Sequence, residues 1–233
     1  MMGIKNRYIR NANMLSPKEN LSLRNFKVVV VGCGGLGGHI IEMLARMGIG
    51  QITAIDGDVF EPHNLNRQLF SLPSNIGKPK APEAKKRIET VNADVRITAK
   101  QVMLDEDNAE ELLVGHDLVC DALDNIRTRK LVAKTAAKLN MPMVFGAIAG
   151  WYAQVGTIMP GDNLLDKIYP EGINKGAETH LGNPSFTPAL AASLQVAETI
   201  KVLLKKKGIL KNKLLVADTL DHHYEVIDFT EEG

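Results

Sequence analysis

Residues 27–67 read KVVVVGCGGLGGHIIEMLARMGIGQITAIDGDVFEPHNLNR. Val28 to Val31 form an unbroken β-branched run with no polar alternation, the pattern of a strand covered on both faces of a parallel sheet. Gly32, Gly34 and Gly37 follow at G-x-G-x-x-G spacing, where glycines permit a tight turn and let backbone approach a phosphate at a helix N-terminus. Leu36, Ile40, Leu44 and Met47 then recur at three- and four-residue intervals, which predicts a helix that Gly48 is placed to end. A second strand, Gln51 to Ile55, delivers Asp56 at its carboxyl end, where an acidic side chain meets the ribose of a bound adenosine.

These features point to an adenine nucleotide and leave its kind open. Beyond Asp56 stand Asn64 and Arg67, with Lys80 following in Gly77-Lys78-Pro79-Lys80. Cationic and amide groups at the carboxyl edge of the sheet suit a triphosphate better than the two bridged phosphates of a dinucleotide. A nicotinamide-dependent oxidoreductase would use the same glycines and Asp56 but leaves Asn64, Arg67 and Lys80 without a task.

The balance of charges favours neither nucleic acid nor an acidic membrane, since 28 Lys and Arg against 27 Asp and Glu leave a formal charge of +1. At 233 residues and 45% hydrophobic content, one α/β domain over 1–233 with a sizeable core is expected. Two cysteines, both in core-type segments, imply an intracellular protein, and a cytoplasmic one given that the N-terminus has no apolar h-region and no apolar run reaches about 18 residues.

The first 25 residues read as a polar, basic arm with a helix start at Ser16-Pro17-Lys18-Glu19. Within it, Arg7-Tyr8-Ile9-Arg10 has the residue types of a solvated segment. A helix is predicted over 81–91, with Lys80 at its entrance, followed by a strand over 95–99, a short helix over 107–114 and a strand over 117–123. Asp121 and Asp124 flank the end of that strand, where carboxylates are placed to hold Mg²⁺, and Asp124 also suits the N-cap of a helix over 125–139. Strands over 142–146 and 151–158 follow. Residues 160–188 are rich in Gly, Asn and Pro without periodicity, the composition of a lid or an unstructured segment. An amphipathic helix over 189–205 and a closing hairpin, 213–217 with 224–229, complete the chain. Neighbouring His222 and His223, read as strand residues, would point to opposite faces and so do not chelate one ion.

DGDVFEPHNLNRQ after GCGGLGG resembles the ThiF, MoeB and HesA family, bacterial relatives of the ubiquitin-activating enzymes. The resemblance extends from Arg7 to about Phe229. It implies a Rossmann-like α/β fold: a mixed, mostly parallel sheet with helices on both faces and a C-terminal antiparallel hairpin. The implied activity is ATP-dependent adenylation of a C-terminal carboxylate, that of a ubiquitin-like sulfur-carrier protein, with release of pyrophosphate.

By the same resemblance, Gly32, Gly34, Gly35, Gly37, Asp56, Asn64, Arg67, Lys80 and Asn125 bind the nucleotide, and Asp124, in D-x-x-D-N-x-x-x-R, is the Mg²⁺-associated aspartate. Asp121 is left as its support and Arg129 has no assigned task. Arg10, the second arginine of R-Y-x-R, is expected to reach the ATP site of a partner subunit, which implies a homodimer. Residues 160–188 become the crossover region above the substrate tail. Many relatives hold a structural zinc in two C-x-x-C pairs. Here Pro160 to Lys167 replaces the first pair, and Cys33 and Cys120 are the only cysteines, so no zinc and no thiol step are expected. A catalytically silent binding subunit of the same family is the remaining alternative.

Overall fold

The computed structural model describes residues 4–170, 176 and 178–230. Its centre is one eight-stranded sheet in the order β3-β2-β1-β4-β5-β6-β7-β8. The strands are β1 (Lys27–Val31), β2 (Gln51–Ile55), β3 (Arg96–Lys100), β4 (Leu118–Asp121), β5 (Met143–Ala149), β6 (Tyr152–Ile158), β7 (Lys213–Asp218) and β8 (His223–Asp228). The first five run parallel, and β5 through β8 pair antiparallel in succession. Among the described residues the α-helices are α1 (Pro17–Ser22), α2 (Gly35–Met47), α3 (Lys80–Val91), α4 (Ala109–Leu113), α5 (Ile126–Lys138), α6 (Leu164–Ile168), α7 (Glu178–Leu181) and α8 (Phe186–Leu203), and short 3-10 turns supplement them.

The valine run of β1 explains the two-layer core. Val28 and Val30 pack with Ile40, Leu44 and Ile88 on the face covered by α2, α3 and α8, while Val29 and Val31 pack with Leu113, Val132 and Phe145 on the other. All four valines are essentially inaccessible to water. At roughly 1.5–3 kcal/mol per buried aliphatic side chain, this strand alone contributes several kcal/mol before entropy is subtracted.

Several predicted boundaries shift. Helix α8 begins at Phe186 rather than Ala189, because Pro188 is tolerated in a first turn. Residues 160–188, expected to lack regular structure, contain α6 and α7. Helix α6 is too short for periodicity to reveal it, yet Leu164 is fully buried beside Gly156, where a Cβ would lie 2.8 Å from Leu164 Cδ2. The N-cap of α5 is Asn125, whose side chain accepts from the Thr128 N–H, and not Asp124. His222 sits in the β7–β8 turn with φ +55°, so only His223 belongs to a strand.

The N-terminal arm is tied to its own chain. Asn92, buried at the end of α3, donates to the Tyr8 hydroxyl (2.7 Å) and to the Ala45 carbonyl (2.7 Å) and accepts from Arg7. The Tyr8 ring packs at Gly48, the left-handed residue that ends α2.

Candidate functional site

Strand β1 connects to β2 on one side, whereas the chain leaving β3 crosses to β4 on the other, so the strand order reverses between β1 and β4. Open α/β sheets bind ligands in the crevice above such a reversal. A cavity lies there, floored by Gly32, Gly34 and Gly35, with Asp56, Arg67 and Lys80 on one side, and Asp124 and Asn125 on the other. Val102, Leu104, Leu123 and Ile126 are among its apolar lining residues, and Ile148, Tyr169, Asn183 and Pro188 also line it.

Two glycines make the floor. Gly32 has φ +98°, a conformation that L side chains rarely adopt, and a Cβ on Gly37 would lie 1.8 Å from the Gly32 carbonyl oxygen. Gly37 is thus a packing glycine away from the cavity wall, and only Gly32, Gly34 and Gly35 of the predicted four face it. No side chain caps α2 at its Gly34 N-cap, and its first-turn N–H groups are available to an anion.

Asp56 is fixed by backbone. Its Oδ2 accepts from the Cys33 N–H (2.7 Å) and its Oδ1 from the Asp58 N–H (2.8 Å), and each oxygen keeps a further lone pair for a ribose hydroxyl. Burial raises its carboxyl above the ordinary range, against the pull of those N–H groups and of Lys80. Lys80 is buried at the head of α3 with Nζ 3.1 Å from Asp58 Oδ2. Arg67 donates from Nη1 to the His63 carbonyl (3.1 Å) and to Asn66 Oδ1 (2.9 Å), and its stem passes Gly35, where a Cβ would lie 3.6 Å from Arg67 Cγ.

The structure does not bring Asn64 to the cavity wall. Asn64 is buried and its Oδ1 accepts from the Glu61 N–H (3.0 Å), shaping the loop that carries Arg67. Arg10 is exposed on a 3-10 turn, Asn6–Asn11, and is not part of its own chain's cavity. Asp124 is exposed on the cavity rim, and its carboxylate has no hydrogen-bond partner among the described residues. One free carboxylate is a fitting protein ligand for Mg²⁺, which keeps waters and takes its other oxygens from substrate phosphates.

Asp121 is not available for that task, contrary to the supporting role expected from its sequence position. It is fully buried, its Oδ1 accepts from the Leu123 N–H (2.9 Å), and its Oδ2 lies 2.7 Å from Arg129 Nε as an ion contact rather than an aligned hydrogen bond. Arg129 also donates to the carbonyls of Leu123 and Gly146 and to the Tyr169 hydroxyl (2.7 Å), with its guanidinium over the rings of Phe145 and Tyr169. It therefore joins the end of β4 and the middle of β5 to Tyr169 on the cavity lining. Gln68, another cavity residue given no role by sequence reasoning, follows Arg67 directly in the quoted motif.

Neither thiol lies on the cavity wall. Cys33 and Cys120 are buried, and burial pushes the first well above the ordinary thiol range and the second up to about 12. Among the described residues no group of three or more His, Cys, Asp or Glu is arranged to hold a metal ion, and no helix is long and apolar enough to cross a membrane.

Comparison with known proteins agrees with this architecture. The chain is 32% identical over 228 residues to the SAMP-activating enzyme E1 of Haloferax volcanii, covering 96% of this chain and 84% of that protein. It is 37% identical over 218 residues to the sulfur carrier protein adenylyltransferase of Thermus thermophilus, covering 89% and 80%. The crystal structure of Escherichia coli MccB with MccA-N7isoASN superposes with a TM-score of 0.83 at 24% identity, over 96% of this chain and 71% of that one, a likeness of fold. The ThiF family model matches residues 7–232, and the chain belongs to the ThiF family.

Proposed function

We propose that the protein is an adenylyltransferase that transfers the AMP of ATP to the C-terminal carboxylate of a ubiquitin-like sulfur-carrier protein. The observation that carries this reading is the cavity at the β1/β4 reversal. It combines an uncapped helix head, a ribose-ready carboxylate and two cations within a chain closely related to sulfur-carrier adenylyltransferases. Family membership displaces the nicotinamide reading, which gave Arg67 and Lys80 no task.

In the proposed reaction, a carboxylate oxygen of the carrier attacks the α-phosphorus of ATP, a P–O bond forms, and the bond from that phosphorus to the α,β-bridging oxygen breaks to release pyrophosphate. The protein forms no covalent bond, so positioning and charge stabilisation supply the rate. Asp56 accepts from the ribose, and the N–H groups at the head of α2 face the phosphates. Arg67 and Lys80 offset the charge that grows on the leaving pyrophosphate. Lys80 is suited to this, because burial on the cavity wall limits solvent screening of its ammonium. Asp124 would hold Mg²⁺, which when bound neutralises phosphate charge. Asn125 caps α5 beside it and so fixes the loop that presents Asp124.

Arg10 supplies a further cation from the partner subunit of a homodimer. Support comes from its exposure and from the Tyr8–Asn92 anchor, which fixes the arm on its own chain while leaving Arg10 outward. Isotope exchange between pyrophosphate and ATP, dependent on an added carrier protein ending in glycine, tests the whole reading. Tight NAD binding with no ATP binding and no exchange would overturn it.

A further inference from the structure

Gln68 stands out among the polar side chains of the molecule. It is 7% exposed and lines the cavity, yet its carboxamide has no hydrogen bond among the described residues and Oε1 is fully covered. A buried, unpaired amide is costly, and such groups are retained in native proteins for a reason. Gln195 shows the contrast: it also has an uncommitted Oε1, but its Nε2 bonds the carbonyls of Asp121 (2.8 Å) and Val144 (3.3 Å), so it knits the core.

The position of Gln68 does not depend on its side chain. Its N–H donates to the Asn64 carbonyl (2.9 Å), and its own carbonyl accepts from the N–H (3.0 Å) and hydroxyl (2.7 Å) of Ser71. The backbone thus holds the residue in place and the amide is left for another purpose. That amide points at the glycine floor: a Cβ on Gly34 would lie 3.3 Å from Nε2, nearer than from Oε1 at 4.0 Å. Gly34 is the N-cap of α2, where first-turn N–H groups already favour an anion.

We propose that Gln68 is a further catalytic residue, which donates from Nε2 to a phosphoryl oxygen of the nucleotide at the head of α2. A neutral amide adds a directed donor there without the desolvation cost of burying a further cation beside Arg67 and Lys80. The ligand satisfies a group that the free protein leaves unpaired, so the cost of the unpaired amide falls on the free state and is relieved in the complex. This deepens the adenylation reading and rests on it.

Gln68→Met tests the assignment, since it keeps length and removes the amide. Removing an unpaired buried polar group does not destabilise a fold. The variant is therefore expected to melt at or above the wild-type temperature without nucleotide, to gain less from added ATP with Mg²⁺, and to exchange pyrophosphate about 10- to 100-fold more slowly, the loss for one hydrogen bond to a charged group. Gln68→Glu keeps the shape and places negative charge against the phosphates, and its KM for ATP should exceed that of Gln68→Met. A structural glutamine would give a lower melting temperature with an unchanged ATP response, and that result overturns the proposal. So does wild-type exchange in Gln68→Met or wild-type KM in Gln68→Glu. A wild-type protein that neither binds ATP nor exchanges overturns the adenylation reading itself, and this assignment with it.

Discussion

Replacing Arg129 with methionine should expose what the buried pair with Asp121 contributes. The substitution keeps an unbranched stem among Phe145 and Tyr169 and removes the guanidinium 2.7 Å from Asp121 Oδ2. Asp121 is 0% exposed, so its carboxylate is left without a counter-charge, a situation that costs about 3–5 kcal/mol. For a chain of this length that lowers the melting temperature by about 6–20 °C. The sign of the pH dependence follows from Asp121. Burial already raises its carboxyl above the ordinary range while Arg129 pulls it down, and losing Arg129 raises it further. A carboxyl with a raised pKa in the folded state costs stability once pH exceeds its unfolded value, and protonation relieves that cost. Arg129→Met should thus be least stable at neutral and alkaline pH and should recover as pH falls through the raised value. Adding Asp121→Asn should restore most of the loss, because the amide still accepts from the Leu123 N–H and carries no charge. Urea unfolding at several pH values measures all three variants. A loss below about 1 kcal/mol at pH 7, or one that is independent of pH and unrelieved by Asp121→Asn, would refute the argument.

Three other outcomes are expected. Arg67→Ala and Lys80→Ala should each lose about 2–4 kcal/mol of transition-state stabilisation, read as pyrophosphate exchange. Unchanged exchange in both variants would remove their assigned roles. Mixing Arg10→Ala with Asp124→Ala subunits should regain activity through one intact site per mixed dimer, and an active monomer by light scattering would end the trans role. Cys33 and Cys120 should resist an aromatic disulfide reagent until the protein is unfolded, and Cys33→Ala with Cys120→Ala should still adenylate, since neither buried thiol ionises near neutral pH; prompt labelling of the folded protein, or loss of exchange in the double variant, would contradict this.

Much of the fold was legible because its signals are local. Four valines, the glycine spacing and a helical stripe specify β1, the turn and α2 from adjacent residues, and the carboxyl edge of β2 then places Asp56. Helix α6 was not legible, since five residues cannot display a 3.6-residue period and their anchor is Gly156 in β6. The contact of Asn64 was not legible for a related reason: a loop amide between an acid and an arginine has the residue type of a phosphate ligand, while the bond its Oδ1 accepts from the Glu61 N–H is a matter of turn geometry.

The two aspartates of Asp121-Ala-Leu-Asp124 show where local reading ends. Both lie at the carboxyl end of a strand and both are chemically able to bind a cation. What separates them is Arg129, which stands on the buried stripe of α5 with Ile126, Val132 and Ala136. A charged residue on an apolar stripe must carry a buried partner, because an isolated charge in that position is prohibitively costly. That was the available signal. Asp121 ends β4 within the sheet and is the acid α5 can cover, whereas Asp124 lies three residues further on, past the sheet edge and on the cavity rim. The buried pair consumes one carboxylate to brace β4, β5 and Tyr169, and leaves the other at the cavity, facing solvent and the phosphates expected there.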